Sequence, residues 1–296
     1  MVFQQELTPM LIIFPQTAFA HSGIVHLPYM TNPLANVLDL LTTVRRVCFC
    51  VFIAGAGAAA ASDYGREARF EELVKSQLVV GDAVTLAPPP GAPTNFRPFL
   101  SLYAKGKADL PALVLAHGVG NHPDEGLTGS LRQRLHDMGY TTLAIQLPVA
   151  AKDATVDNYY PALFPEASSR LQAASAWLKA KGHAKVALVS HTMGSWMANV
   201  YFDQQAASNA YQAWVCISLT GGYSFAVRNY QFPVLDVYGE QDIPVTVSAA
   251  WRRAGLLRLA ATGSRQVMIA GADAQWRGKE QAAADAIVEF LRALPQ

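Results

Sequence analysis

From about residue 78 to the C-terminus, short continuous runs of apolar residues alternate with longer stretches in which apolar positions recur every three or four residues. Runs such as ALVLA, TLAI, VALVS and AWVCI are typical of buried parallel strands, since both faces of such a sheet are covered. The intervening stretches have the spacing of amphipathic helices. This alternation predicts an α/β domain with a mostly parallel sheet and helices on both faces.

The predicted sheet has eight strands. The first two, within LVVGDAVTL and PFLSLYA, are separated by the turn sequence APPPGAPTN, which predicts an antiparallel pair at the N-terminal side. Six further strands are predicted in ALVLAHG, TTLAIQL, AKVALVS, AWVCISL, PVLDVYG and RQVMIAG. Helices are predicted at about 67–75, 127–138, 167–180, 193–207, 247–261 and 279–291. No insertion is large enough for a cap domain, so residues 62–296 are interpreted as one domain.

A targeting segment is predicted at residues 44–61. Arg45 and Arg46 precede a short apolar run, and small residues lead up to Ser62, which is the layout of a secretory signal peptide with its cleavage site. The apolar run is too short to span a bilayer, so no stable membrane span is expected after processing. The alternative is a buried alanine-rich helix. A signal peptide predicts a periplasmic or secreted protein whose mature chain begins near Ala61.

Residues 1–43 do not fit this layout, because a signal peptide should begin at the N-terminus of the translated chain. This stretch is irregular and nearly uncharged. We interpret it as a mis-assigned or disordered extension, and the hypothesis is that translation starts at Met30 or at Val44.

Charge and cysteine content narrow the functions further. The formal net charge is +1 and acids and bases are mixed, so no basic stripe for nucleic acid is predicted. Arg252 and Arg253 are expected on a solvated helix face. Cys48 and Cys50 lie in the targeting segment, and Cys216 is expected to be a buried small apolar residue. No spacing of cysteine or histidine predicts a metal site, and no cofactor is expected.

Three loops that follow predicted strands carry candidate chemistry. In VALVSHTMG, a strand runs into a turn and then a helix, with Ser190, Thr192 and Gly194 at alternate positions. In LAHGVGNHPD, His117 and Gly118 follow a strand, and VLDVYGEQD has an aspartate just beyond another strand. In an open α/β sheet, binding and catalytic residues are found mainly in the loops at the carboxyl ends of the strands.

These three loops resemble the nucleophile elbow, the oxyanion-hole loop and the acid loop of the α/β-hydrolase superfamily, in the family's chain order. The chain is most similar to small, exported, poorly characterised α/β-hydrolase-like proteins of Gram-negative bacteria. The resemblance implies the α/β-hydrolase fold, with Thr192 at the nucleophile position and Asp242 as the acid. It also implies that the backbone N–H groups of Val119 and Met193 form the oxyanion hole, with Ser190, Gly194, His117 and Gly118 as supports.

The sequence departs from the family pattern at two positions. Thr192 stands where a serine is expected, and a β-branched residue is disfavoured in the strained conformation of the elbow. Ala274 stands where the catalytic histidine is expected, so the base is missing. None of the histidines lies in the C-terminal third; they are His21, His26, His117, His122, His136, His183 and His191.

The missing histidine sets expectations for several other side chains near the predicted triad. His122 is the candidate for a relocated base, whereas His191 is expected to point away from the elbow. Asp242 is expected to be solvated or paired with a base such as Arg277. Trp276 is interpreted either as a filler of the space left by the imidazole or as an ordinary core aromatic.

Two functions remain open at this point. The first is a protein with a degenerate triad and little or no hydrolysis, which binds a small molecule or a partner. The second is an active hydrolase of esters or thioesters that uses Thr192 with a relocated base.

Overall fold

A computed structural model of the chain describes residues 62–154, 160–204, 210–223 and 225–294. The predicted signal peptide at 44–61 and the extension at 1–43 lie outside the described residues, so both stay predictions. Among the helices that the structure does describe, none is long and apolar enough to cross a membrane.

The described residues form a twisted sheet of eight strands, as the apolar pattern predicted. Its strand order is β1-β2-β4-β3-β5-β6-β7-β8. Strand β2 runs antiparallel to both β1 and β4, and every other neighbouring pair is parallel. The strands are Asp82–Leu86, Phe99–Ala104, Ala112–Ala116, Thr142–Ile145, Val186–His191, Ala213–Ile217, Val234–Gln241 and Arg265–Asp273, numbered β1 to β8. The predicted fold class is therefore confirmed, including the antiparallel N-terminal pair and the lack of a cap domain in the described residues.

Six α-helices, α1 to α6, connect these strands in the part of the chain described. They are Tyr64–Gln77, Gly126–Asp137, Phe164–Ala180, Met193–Gln204, Pro244–Leu257 and Glu280–Arg292, with short 3-10 turns at Tyr160–Leu163 and Phe225–Asn229. Helices α3 and α5 each begin three residues before the predicted start. Both have a proline in the first turn, Pro165 and Pro244. Proline fits there because the first N–H groups of a helix have no intrahelical acceptor.

The sheet separates two hydrophobic clusters, one on each face. Trp214 of β6 packs with Leu171 of α3 and Met197 of α4 on one face. Val215, the next residue of β6, packs on the other face with residues of α2 and α6 such as Ile287. Consecutive strand residues point to opposite faces, so a continuous apolar run is needed where both faces are covered. Because helices pack on both faces of the sheet, the strand ends that lead into the candidate loops are held in place.

Arg253 of α5 is buried, so its expected place on a solvated helix face is wrong. Its Nε donates to Oδ2 of Asp236 in β7 at 2.8 Å, and its guanidinium also donates to the carbonyl oxygens of Gly221 and Thr246. Burial raises the pKa of Asp236, and the adjacent guanidinium opposes that shift. Arg252 is exposed as expected. The helix periodicity did not identify Arg253, because its partner carboxylate lies in a strand that reads as apolar.

Candidate functional site

The sharp turn between β5 and α4 places Thr192 at the carboxyl edge of the sheet. Strand β5 ends at His191 and α4 begins at Met193, so Thr192 alone makes the turn, with a φ of 47°. Its N–H donates to the carbonyl oxygen of Ile217 at 2.9 Å, and its own carbonyl accepts from the N–H of Ser195 at 3.0 Å. A β-branched residue in this left-handed region costs about 1–2 kcal/mol. These two backbone hydrogen bonds hold Thr192 in the strained conformation.

Two small residues flank this turn. A Cβ added to Gly194 would lie 2.5 Å from the carbonyl oxygen of His117, so no larger residue fits without moving the backbone. Ser190 is buried, and its Oγ accepts from Nε1 of Trp214 at 2.8 Å and bonds Oγ of Ser195 at 3.0 Å. Ser190 is therefore small enough for the sharp turn, and it is also hydrogen-bonded to Trp214 of the neighbouring strand β6.

The loop after β3 lies directly against Thr192. A Cβ on Gly118 would come within 2.6 Å of Oγ1 of Thr192, so the hydroxyl occupies the space that this glycine leaves open. Val119 follows and lines a cavity together with Met193. Since Met193 is the first residue of α4, its N–H has no intrahelical acceptor. The two residues expected to form the oxyanion hole thus lie on either side of the threonine.

His117 braces this loop and is not available as a base. Its Nε2 accepts from the N–H of Leu147 at 2.9 Å, which leaves Nδ1–H to donate to the carbonyl oxygen of Gly118 at 2.8 Å. Burial lowers the pKa of His117 to about 3. The imidazole is therefore neutral at pH 7, with both nitrogens occupied.

Asp242 follows β7 and is bonded by a residue that the sequence reasoning missed. Its Oδ1 accepts from the N–H of Ile243 at 2.8 Å, and its Oδ2 accepts from the hydroxyl of Ser218 at 2.5 Å. The expectation that this carboxylate is solvated or paired with Arg277 is therefore wrong. Ser218 lies one residue beyond β6 with a φ of 54°, and it is fully buried. Its position at the end of a buried strand was the only signal in the sequence.

Trp276 completes this arrangement. The indole is fully buried, and its Nε1–H donates to Oγ of Ser218 at 3.0 Å. A hydrogen-bond chain therefore runs from Trp276 through Ser218 to Asp242. The backbone N–H of Trp276 donates to Oδ1 of Asp273 at 2.9 Å, which fixes the turn just after Ala274.

A cavity of about 470 Å³ lies above these residues. It brings together the three positions predicted to correspond to the triad, namely Thr192, Asp242 and Ala274. Its remaining lining residues are Val119, Met193, Trp196, Thr220, Gly221, Ile243, Val245 and Gln275. The lining is mostly apolar, and Asp242 is the only ionisable side chain that the described residues contribute to it.

The histidines closest in sequence to these loops do not line the cavity. The ring of His122 packs on Phe70 with 5.2 Å between centroids, and its Nε2 lies 3.7 Å from a carboxylate oxygen of Glu125. His191 does not simply point away, because its Nδ1 would lie 3.4 Å from a Cβ placed on Gly118. Burial lowers the pKa of His191 to about 4. Within the described residues, neither imidazole reaches the hydroxyl of Thr192.

A metal ion has no prepared site in the part of the chain that the structure describes, since no cluster of three histidine, cysteine, aspartate or glutamate side chains occurs there.

Solved structures share this architecture across most of their length. The dienelactone hydrolase of Anabaena variabilis has a TM-score of 0.58 and 19% identity, with 73% of this chain and 98% of that protein covered. An α/β serine hydrolase without a lid from Xanthomonas campestris has a TM-score of 0.52 and 15% identity, with 73% and 98% covered. Est1E of Butyrivibrio proteoclasticus has a TM-score of 0.53 and 14% identity, with 71% and 97% covered. No protein-family model matches the sequence, and no curated protein matches it.

The chain has the α/β-hydrolase fold. At these identities the likeness extends to the fold alone, so the chemistry must be argued from the residues at the site. The described part of this α/β-hydrolase fold keeps a hydroxyl, a carboxylate and the candidate oxyanion loop around one cavity. It lacks an imidazole at that cavity.

Proposed function

We propose that this chain is an exported α/β-hydrolase-fold protein that binds a small, mainly apolar molecule above Thr192 and catalyses little or no hydrolysis. Export rests on the predicted signal peptide at residues 44–61. The binding role rests on the mostly apolar cavity with a small number of polar groups in its lining, as is typical of small-molecule sites.

The observation that carries the proposal is the bond between Ser218 and Asp242. In a serine hydrolase triad, the acid orients a histidine, and the histidine removes the proton of the nucleophile. Here the carboxylate accepts from a serine hydroxyl that the indole of Trp276 holds in place. The carboxylate of Asp242 therefore already has a hydrogen-bond donor, and that donor is not a histidine. Loss of one triad member alone lowers kcat by several powers of ten.

The nucleophile position supports the same conclusion. A threonine hydroxyl at neutral pH is a weak nucleophile unless a neighbouring group removes its proton. None of the described side chains hydrogen-bonds Oγ1 of Thr192, and Asp242 is the only ionisable group that they place in the cavity. The hydroxyl is left as a polar contact for a ligand, beside the N–H of Met193.

The cavity favours a ligand with an apolar body and one polar group such as a carbonyl. Such a group can accept from the hydroxyl of Thr192 and from the first N–H groups of α4. Est1E of Butyrivibrio proteoclasticus, which shares the fold, has been solved with ferulic acid bound. A molecule of that size class is a suitable first probe for this chain.

Hydrolysis of short p-nitrophenyl esters tests the proposal. The variants are the parent chain, the double variant Thr192→Ser, Ala274→His, and the triple variant that adds Ser218→Ala to release Oδ2 of Asp242. We expect no hydrolysis above background by the parent, and activity that is gained only when the serine and the histidine are both present. Substantial hydrolysis by the parent that Thr192→Ala abolishes would contradict the proposal, as would labelling of Thr192 by a fluorophosphonate.

Binding is measured separately through tryptophan fluorescence. Trp196 lines the cavity, whereas Trp251 on α5 is 71% exposed. We expect ferulic acid to quench the emission of the Trp251→Phe variant in a saturable way, and Trp196→Phe to lose most of that signal. Quenching that is linear in concentration in both variants would show that no site is occupied.

A further inference from the structure

The first described residue, Ser62, is enclosed by charged side chains and is only 6% exposed. Its backbone N–H donates to Oε2 of Glu166 at 2.8 Å, and its hydroxyl bonds Oε1 of Glu67. The N–H of Val149 donates to the same hydroxyl at 2.7 Å. We call Ser62, Glu67, Glu166 and Arg170 the N-terminal cluster. The start of the domain is thus anchored in the interior.

The N-terminal cluster holds more negative than positive charge. Arg170 contacts both carboxylates, at 2.5 Å for Glu166 and 2.9 Å for Glu67, and it also donates to the carbonyl oxygen of Gln146. All three charged side chains are buried. Burial raises the pKa of Glu67 against the opposing effect of Arg170. Among the described residues of the cluster, one guanidinium therefore serves two carboxylates.

The charged groups around the cluster are engaged elsewhere. Asp63 accepts from the backbone N–H of Arg66, and the guanidinium of Arg66 donates to the carbonyl oxygens of Ala150 and Gly120. Arg97 is exposed and lies over the ring of Tyr64. The hydroxyl of Tyr64 donates to Glu166. Burial raises the pKa of Tyr64 to about 12, so this tyrosine stays neutral. None of these neighbours supplies the missing positive charge inside the cluster.

The sequence places a cleavage motif immediately before Ser62. Residues 58–61 are all alanine, so Ala59 and Ala61 occupy the two small-residue positions of an Ala-x-Ala site, and the bond to be cut is Ala61–Ser62. Hydrolysis of that bond consumes one water molecule. It leaves a carboxylate on Ala61 and an α-amino group on Ser62, which is protonated below its usual pKa of about 8.

We propose that processing at Ala61–Ser62 creates an α-ammonium group on Ser62 that the N-terminal cluster binds as an ion pair with Glu166. The inference rests on the proposed export. The backbone nitrogen of Ser62 already lies within hydrogen-bond distance of the carboxylate, so the new charge forms in place. Cleavage takes place on the chain in transit, before Ser62 is buried, and folding then encloses the new terminus. The ammonium supplies the second positive charge that the two carboxylates need.

The cluster also reaches the candidate site. Arg170 holds the backbone of Gln146, whose side-chain amide lies 3.0 Å from Nε2 of His117. His117 in turn braces the carbonyl of Gly118. Hydrogen bonds therefore connect the N-terminal cluster to the loop beside Thr192.

Urea unfolding of purified chains tests the ion pair. One chain begins at Ser62 with a free α-amine, and the comparison chain begins at Ala60, which moves the amine by up to about 7 Å. Two carboxylates raise the pKa of the ammonium in the folded state, so the added stability is complete below about pH 8 and is lost as the pH rises through the folded-state value. We expect the folding equilibrium constant of the Ser62 chain to be at least about tenfold higher at about pH 6.5, with no difference at about pH 10.5.

Two matched substitutions assign the effect. Glu166→Gln removes the hydrogen-bonded carboxylate and should remove most of the difference between the two chain starts, whereas Glu72→Gln on the exposed face of α1 should preserve it. Equal unfolding midpoints at both pH values, or a difference that is undiminished in Glu166→Gln, would overturn the proposal. The comparison needs no core substitution, since the two chains differ only in the two alanines before Ser62 and in the charge on the nitrogen of Ser62.

The intact mass of the full chain expressed with its own N-terminal segment tests the processing. A product that begins at Ser62 supports the proposal, and a product that begins at another residue overturns it. An unprocessed product would show that export itself fails, and it is distinguished from failure of the ion pair because the purified Ser62 chain reports on the ion pair directly. Neither measurement depends on the ester assay.

Discussion

The hydroxyl of Ser218 donates to Oδ2 of Asp242 across 2.5 Å, at the edge of a cavity whose lining also includes Thr192 and Ala274. A serine hydroxyl has one proton to donate, and it accepts here from the indole of Trp276. Each of the three polar groups, in Trp276, Ser218 and Asp242, therefore has a hydrogen-bond partner without an imidazole. Buried polar groups are stable only when paired, so these hydrogen bonds account for a buried carboxylate that has no imidazole partner among the described residues.

Ser218→Ala should destabilise the fold by about 2 kcal/mol, because it leaves the indole N–H of Trp276 without its partner and leaves Oδ2 of Asp242 with only the long contact of 3.4 Å from the N–H of Gly239. The free energy of unfolding in urea measures this. Ser248→Ala on the exposed face of α5 is the matched control and should change stability by less than about 0.5 kcal/mol. Equal effects of the two substitutions would show that the buried hydroxyl contributes nothing.

Thr192→Gly should stabilise the protein by about 0.5–1 kcal/mol, because glycine adopts a positive φ without the strain of a β-branched residue. The same substitution at Thr85, an exposed residue of strand β1, should destabilise it by about 1 kcal/mol, since no such strain is relieved there. Thermal unfolding of the two variants gives the comparison. A loss of stability at both sites would mean that the backbone of the elbow is not strained.

Gly194→Ala should destabilise the fold by about 3 kcal/mol or more, because its Cβ would meet backbone oxygens at 2.5 and 2.7 Å that cannot move independently. Gly255→Ala in α5 is the control, since a Cβ there meets nothing within 4 Å. It should stabilise the helix by up to about 1 kcal/mol. Chemical denaturation of both variants distinguishes a steric requirement from a general effect of glycine replacement.

Gly118→Ala should act through Thr192, whose Oγ1 lies 2.6 Å from the added Cβ. We expect weakened binding of ferulic acid and a loss of stability of about 1–2 kcal/mol, much of which Thr192→Gly restores when the two substitutions are combined. A double-mutant cycle measures this coupling. Strictly additive effects would place the hydroxyl away from the loop.

Stability should decrease as the pH falls from about 6.5 toward 4, because His117 and His191 stay neutral in the fold and become protonated only on unfolding. The folded-state pKa values, about 3 and about 4, lie below that of the unfolded chain, so the unfolded state takes up protons in this window. Each imidazole adds a slope of up to about 1.4 kcal/mol per pH unit. His191→Leu should reduce the slope, and unchanged slopes in a pH series of urea titrations would contradict the assignment.

The strands and their order of appearance could be predicted because a buried parallel sheet requires continuous apolar runs, and the loops that follow them carry recognisable spacing. The sequence also indicated that positions 192 and 274 depart from the family pattern, since each can be identified from its distance to a strand end. Ser218 and Arg253 could not be identified in this way. Their roles depend on partners that are distant in sequence, Asp242 just after β7 and Asp236 within β7, and local periodicity carries no information about such pairs.

The hydrogen-bond chain from Trp276 through Ser218 to Asp242 also constrains how this site can change in evolution. A histidine restored at position 274 would meet a carboxylate that already has its donor, so that single substitution brings little benefit to catalysis. A change at Ser218 alone leaves buried polar groups unpaired and lowers stability. The benefit of the histidine is therefore expected to be larger in the Ser218→Ala background, which is epistasis between positions 274 and 218. Under the proposed function, a gain of hydrolysis therefore takes several substitutions, and one of them lowers stability when made alone.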